Sequence, residues 1–266
     1  MASIGKSIAV FGGNGFLGKK ICETGIKLGY QVTSFSRSGQ APAISSPWIK
    51  EVKWEKADIF NPDTYKDKLT NVNSVVHSIG LLFENQNYKK SMNTNFNFLN
   101  DVQNLANLVK TPNPMDRDNH NTYEGIQRDS AVILADTFLK VQPNNPSYVY
   151  ISADQKMPFI PSGYIDTKRE AEFELSCKEG LRSILMRPGF MYDEAESHSL
   201  NNRILLKTLL KLGYDAKHCI LGDHISYLNK LVRPPISTDK VAQKLFEKVE
   251  NDSFSGIVTL DEIYKH

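Results

Sequence analysis

Ser7-Ile8-Ala9-Val10-Phe11-Gly12-Gly13-Asn14-Gly15-Phe16-Leu17-Gly18 decides how the rest of the chain is read. Its first five residues are an apolar run of strand length, and its last three begin a helical pattern. Between them, Gly13, Gly15 and Gly18 satisfy GxGxxG, while Gly12, Gly15 and Gly18 satisfy the looser GxxGxxG. Glycine serves three needs in such a turn: a tight reversal, close approach of backbone to a pyrophosphate, and close packing of helix on strand. The anion then lies on the helix N-terminus, where orphan N–H groups and the macrodipole favour negative charge. The strand before and the helix after lift the motif above a plain Gly-rich turn. The expectation is a dinucleotide site.

Outward from this loop the pattern alternates. A helix is expected over 16–28, with Leu17, Ile21 and Leu28 inward and Gly29 as its stop. Strands are expected at 7–11, 31–36, 52–56, 74–78, 148–152 and 183–186. Asn61-Pro62 reads as a cap and first turn. Residues 123–140 read as a long helix, with Ile126, Ile133, Leu134 and Phe138 on the buried face. Short β runs alternating with helices give an α/β fold of the doubly wound, parallel-sheet type.

Two stretches break the rhythm. Residues 84–122 hold eleven asparagines and end near Pro112 and Pro114, longer than an ordinary connection. Phe98, Val102, Leu105 and Val109 are spaced for a short amphipathic helix there. The insertion is either an exposed loop or a lid or docking surface. After residue 190, Leu200, Ile204, Leu205, Leu209 and Leu212 make one apolar helix face, and Ile225, Leu228 and Leu231 suggest another. Ser237-Thr238 then caps a helix through Val249, with a final strand near 256–260. The division expected is 1–192 as the dinucleotide-binding domain and 193–266 as a small C-terminal substrate lobe packed on it.

The chain has 266 residues, with 32 Lys plus Arg against 30 Asp plus Glu, a formal charge of +2. That balance argues against a nucleic-acid binder, which usually carries a strong basic excess. Hydrophobic residues at 40% and aromatics at 10% suffice for a core. No apolar run approaches the roughly 18 to 20 residues of a membrane span. Cys22, Cys177 and Cys219 are odd in number and fit no metal spacing, so reduced thiols in a soluble intracellular protein are expected. Only six residues precede the first strand, so neither a secretory h-region nor a long Arg- and Ser-rich amphipathic presequence is expected within these residues.

The remaining chemistry is local. An acid at the end of the second strand would bind the ribose diol of NAD, but Ser36-Arg37-Ser38 stands there. A guanidinium with neighbouring hydroxyls suits the 2′-phosphate of NADP, although Arg37 could also stack on adenine. Asp58 is placed to meet the adenine amino group or to cap the Pro62 turn. Tyr164-Ile165-Asp166-Thr167-Lys168 is YxxxK, which puts phenol and ammonium on one helix face. Ser152 lies twelve residues upstream, at a strand end. A phenol of pKa about 10 needs a neighbouring cation to work near neutrality. Tyr164 would then move a proton to or from a substrate oxygen held by Ser152, with hydride passing to or from a nicotinamide. Arg187-Pro188-Gly189-Phe190-Met191-Tyr192 would floor the nicotinamide. Alternatively Tyr164 merely packs and Lys168 is solvated, or the pair is competent but turns over little in a protein used as a sensor.

These residues together resemble the short-chain dehydrogenase/reductase superfamily, in its extended or atypical branch. The likeness is carried by the loop 12–18, Arg37, Asp58, His77-Ser78, Ser152, Tyr164, Lys168 and Arg187-Pro188-Gly189, and late by Pro235-Ile236-Ser237-Thr238. Within it the chain is similar to accessory proteins of respiratory complex I and of coenzyme Q biosynthesis. Segments 150–154, 160–165, 168–172 and 187–191 carry that nearer match. The resemblance implies a Rossmann-type fold and Gly12 to Gly18, Arg37, Asp58, Ser78, Tyr164, Lys168 and Arg187 to Gly189 as cofactor contacts. It implies NADP, with NAD as the other option, and Ser152, Tyr164 and Lys168 as catalytic groups. It further implies a mitochondrial protein peripheral on the matrix side of the inner membrane, with coenzyme Q biosynthesis proteins as partners and an apolar quinone-type molecule as a candidate substrate. The role is then either an NADPH-linked oxidoreductase or a non-catalytic, cofactor-binding assembly or regulatory subunit. A nucleotide-sugar epimerase shares the fold and groups, and Arg37 argues against it.

Overall fold

A computed structural model describes residues 6–80, 122–142, 145–155, 161–194, 207–208, 210–215, 217 and 232–265. The expectations for 84–121, and for most of 195–231 including Cys219, lie outside the described residues. The strands are β1 Ser7–Phe11, β2 Gln31–Ser36, β3 Lys53–Lys56, β4 Ser74–His77, β5 Ser147–Ile151, β6 Arg182–Met186, β7 Met191–Tyr192, β8 Ile236–Ser237 and β9 Gly256–Val258. The main sheet has seven strands in the order β3-β2-β1-β4-β5-β6-β9, and every pairing is parallel. Strand order reverses between β1 and β4, the switch point at which open parallel sheets place a ligand crevice.

Parallel strands are covered on both faces, so they read as continuous apolar runs. In β1, Ile8 and Val10 face a core shared with Leu17, Ile21, Val241 and Phe246. Ala9 and Phe11 face the opposite core, with Leu134, Phe138, Tyr148, Tyr150 and Leu175. Helix α1 (Phe16–Lys27) buries Leu17, Gly18, Ile21, Cys22 and Gly25. Leu28, expected inward, is the half-exposed C-cap residue, because Gly29 turns the chain at φ +79°. The Pro62 helix is two short 3₁₀ turns, the first capped by the Asn61 side chain.

The long helix after the insertion departs from simple periodicity. It opens as a π-helix over Glu124–Asp129 and continues as α2, Ser130–Val141. The wider turn shifts the inward face: Gln127, Ser130, Ala131, Leu134 and Phe138 are buried, whereas Ile126 and Ile133 are only half-buried. Three hydroxyls satisfy carbonyls at this irregularity. Tyr150 donates to Gln127 O and Tyr148 to Ala131 O, each at 2.8 Å, and Ser130 donates to Ile126 O at 2.6 Å. A local helix change of this kind commonly marks a functional place.

Helix α3 (Ser162–Ser176) covers the same face of the sheet. Of the segment expected as a C-terminal lobe, residues 238–264 pack on the sheet layer. Helix α4 (Thr238–Glu250), capped by Ser237, packs on α1, β9 extends the sheet beside β6, and α5 (Leu260–Tyr264) follows. Buried Arg182 donates to the carbonyls of Lys248, Val249 and Asn251, orphan acceptors at the end of α4, and to that of Phe254 in the turn beyond.

Candidate functional site

The glycine loop sits against the end of β4. Gly12 has φ +92°, and a Cβ there would lie 2.8 Å from Ser78 O. A Cβ on Gly13 would lie 2.9 Å from Ser34 Cβ, and one on Gly18 would run into the Gly12 carbonyl and lie 2.8 Å from Gly13 Cα. These glycines are needed because the loop folds tightly on itself and on its neighbours. Gly15 N–H donates to Gly12 O at 2.8 Å, closing the turn. Gly15 is the N-cap of α1, with no capping side chain and no acidic residue in the first turn. Most helices fill that place with a hydroxyl or carboxylate. Here the exposed dipole end is left to backbone, which fits the pyrophosphate of a dinucleotide.

The Asn14 amide donates to Gln40 O, tying the loop to the turn that follows β2. Ser36 Oγ accepts from Gly39 N–H at 3.0 Å within that turn, and Arg37 is exposed upon it. Asp58 is exposed after β3, and its Oδ1 accepts from Phe60 N–H at 3.1 Å, so it caps its own turn. Ser78 follows β4, its N–H donating to Phe11 O.

Ser152 directly follows β5 and is buried. Tyr164 and Lys168 are one turn apart on α3, as their spacing predicts. Tyr164 is half-buried, its ring edge-on to Tyr123 at 6.2 Å. Lys168 Nζ lies 5.6 Å from the Tyr164 ring centroid and 5.1 Å from that of Tyr150, and donates to Ile151 O at 2.8 Å. Burial pushes the ammonium down to about 7, with Glu172 opposing and Arg169 adding to the shift. A lysine so placed changes charge near neutrality.

His77, at the end of β4, meets Ser130 Oγ through Nε2 at 2.8 Å. Ser130 spends its proton on Ile126 O, so Nε2 carries the ring hydrogen and Nδ1 is an acceptor. Nδ1 has no partner among the described residues. Burial, with the Lys168 charge, pushes His77 down to about 3, so the ring is neutral.

Sequence reasoning did not single out the charged network beneath Ser152. Arg169 and Arg187 both pair with Glu172, which is 5% exposed. Arg187 is thereby committed to α3, and its N–H donates to Val258 O. Pro188 O accepts from Asp154 N–H, and Gly189 is so tight that a Cβ would lie 2.8 Å from Leu260 Cδ2. Arg233 spans Asp154 at 2.7 Å and Asp261 at 3.1 Å. The i, i+3 spacing of Arg169 and Glu172 was the available signal for the pair. The partners from β6 and from residue 233 were not visible in any local pattern.

Across 97% of its length the chain is 42% identical to MIOREX complex component 2 of Saccharomyces cerevisiae, covering 98% of that protein. Residues 8–114 match the NAD dependent epimerase/dehydratase family. The chain belongs to the short-chain dehydrogenase/reductase superfamily. Its fold is similar to that of Cj0485 dehydrogenase, with a TM-score of 0.59 at 14% identity over 96% of this chain and 92% of that one. It is also similar to a short chain dehydrogenase from Burkholderia cenocepacia J2315 in complex with NADP, with a TM-score of 0.57 at 14% identity over 98% and 92%. The superfamily is NAD(P)-binding. Among the described residues no helix is long and apolar enough to cross a membrane.

Proposed function

We propose that this protein is an NADPH-linked oxidoreductase acting on a carbonyl or alcohol through Ser152, Tyr164 and Lys168. The observation that carries the proposal is the approach of Lys168 to Tyr164 on α3, beside Ser152, at the same edge of the sheet as the glycine cradle. Gly12 to Gly18 would hold the pyrophosphate, Arg37 a 2′-phosphate, and Asp58 and Ser78 the adenine side of the crevice. Arg187, Pro188 and Gly189 would shape its nicotinamide end. The bound nicotinamide would supply the hydride. Tyr164 would give its phenolic proton to the substrate oxygen as charge develops there, and take one in the reverse direction. Lys168, which changes charge near neutrality, would set the charge beside that phenol. Ser152 would hold the substrate oxygen.

On the cellular side, the reading assigns the protein to the mitochondrion, peripheral to the matrix face of the inner membrane, in support of ubiquinone synthesis. Its domain plan is a dinucleotide-binding unit over 1–192 and a substrate-facing segment over 193–266. The relative's name, a component of a complex, favours a second reading: a cofactor-binding assembly subunit that turns over little.

Calorimetric titration with NADPH and NADH tests the cofactor. The expected result is tighter binding of NADPH, lost on Arg37→Ala by about tenfold, with NADH unaffected. NADPH oxidation with aldehyde, ketone and quinone acceptors tests the chemistry, and Tyr164→Phe should lower it at least about a hundredfold. Equal turnover by Tyr164→Phe refutes the catalytic role. Binding without turnover of any acceptor supports the subunit.

A further inference from the structure

Ser152 is gripped from below. Arg169, the residue after Lys168, turns its guanidinium back across the junction between β5 and α3. Its Nη1 donates to Ser152 Oγ at 3.1 Å and to Glu172 Oε1 at 2.6 Å. Its Nη2 donates to the carbonyls of Ala153 at 2.8 Å and Asp154 at 2.7 Å. Four acceptors on a planar fork leave it little freedom to rotate. Glu172 is held in turn by Arg187, whose Nε lies 3.0 and 3.1 Å from its two oxygens. The whole assembly is built from α3, the end of β5 and the end of β6.

A serine hydroxyl has two lone pairs and one proton. The cation occupies one lone pair and repels any further donor, so Ser152 is set to offer its proton to a ligand. Accepting a charge-assisted bond also polarises the O–H and strengthens it as a donor. We propose that Arg169 is a positioning residue that fixes Ser152 as a hydrogen-bond donor toward the oxygen of a carbonyl undergoing reduction. This rests on the oxidoreductase reading above. Arg169 itself transfers nothing: the hydride goes to carbon, the Tyr164 proton goes to oxygen, and Ser152 keeps its own proton while donating it.

Two measurements test the proposal, one of them independent of turnover. In the first, Ser152→Cys is made with Arg169 intact and with Arg169→Gln, and thiolate absorbance at 240 nm is followed against pH. The parent proteins, carrying Cys22, Cys177 and Cys219, supply the background. The other charges around the junction (Lys168, Glu172, Arg187, Asp154 and Arg233) are the same in both. If Arg169 donates to the side chain at 152, Arg169→Gln raises the thiol midpoint by about one pH unit, and Arg169→Lys restores part of it. Identical midpoints overturn the proposal.

In the second, NADPH oxidation is followed with menadione as acceptor. Arg169→Gln should lower kcat about tenfold at an unchanged NADPH affinity, and should have no further effect in a Ser152→Ala background. Full additivity of the two substitutions overturns the proposal. Thermal melting screens each variant for folding, and Arg169→Met, which also removes the charge, substitutes if Arg169→Gln does not fold. An inactive wild-type protein sinks the oxidoreductase reading, whereas the thiol titration still decides whether Arg169 acts on position 152.

Discussion

Between β1 and α1, Gly12, Gly13 and Gly18 leave no room for a Cβ, and the surface offered outward is backbone. Between β5 and α3, the same kind of strand-to-helix junction is filled by Lys168, Arg169 and Glu172, with Arg187 added from β6. The two junctions lie along one edge of one sheet. The first is made of peptide groups, whose charge never changes and whose geometry depends on absent side chains. The second is made of buried and half-buried ionisable groups, among them Lys168, whose charge changes near neutrality, so its properties depend on proton count. A backbone site is broken by adding atoms, and a side-chain site by removing charge.

The largest expected effect is at Gly18, where a new methyl meets the Gly12 backbone. Gly18→Ala should weaken NADPH binding by up to about a hundredfold in calorimetric titration. Gly29→Asn, at positive φ but in open space, should leave it unchanged. Equal affinity of Gly18→Ala and wild type would erase the distinction. Next comes Glu172→Gln, which strips the shared anion from two guanidinium groups. Because both arginines remain partly exposed, the cost should fall below that of a fully buried pair, about 2–3 kcal/mol by urea unfolding.

The pH dependence sharpens the contrast further. Lys168 has a native pKa of about 7 against an ordinary 10.5. Between those values the unfolded chain holds a proton that the native state does not, so stability should rise with pH through that window. The penalty is fully present below about 7. His77, at about 3 against 6.5, acts the same way lower down, and stability should fall as pH drops from 6.5 toward 3. Urea unfolding from pH 4 to 10 should show both slopes, each amounting to about 1 kcal/mol or more, and Lys168→Met should abolish only the upper one. The smallest effect expected is Phe173→Ser on the outer face of α3, where the ring is 70% exposed, within about 0.5 kcal/mol.

Legibility in the sequence followed the range of the forces involved. β1 and β2 have the bounds that their apolar runs predict, and α1 starts at Phe16 as expected, because run length, glycine stops and caps are local. The bearing of the 123–140 helix was misread. Periodicity placed Ile126 and Ile133 inward, but the π turn brings Gln127 in instead, supported by hydroxyls of Tyr148 and Tyr150 from the adjoining strand β5. The spacing of Tyr164 and Lys168 could be read, whereas the acceptor of the ammonium, a carbonyl on β5, could not.

From its residues alone the chain determined where backbone must approach closely, where strands and helices begin, and which side chains share a helix face. Each of these follows from steric limits and short-range periodicity within a few residues. Only the packed sheet decided which charges are buried, which partners share Glu172, and that Lys168 and His77 are shifted from their ordinary pKa values. Those outcomes depend on desolvation and on groups brought together from β4, β5, β6 and α3, and no stretch of sequence contains them all.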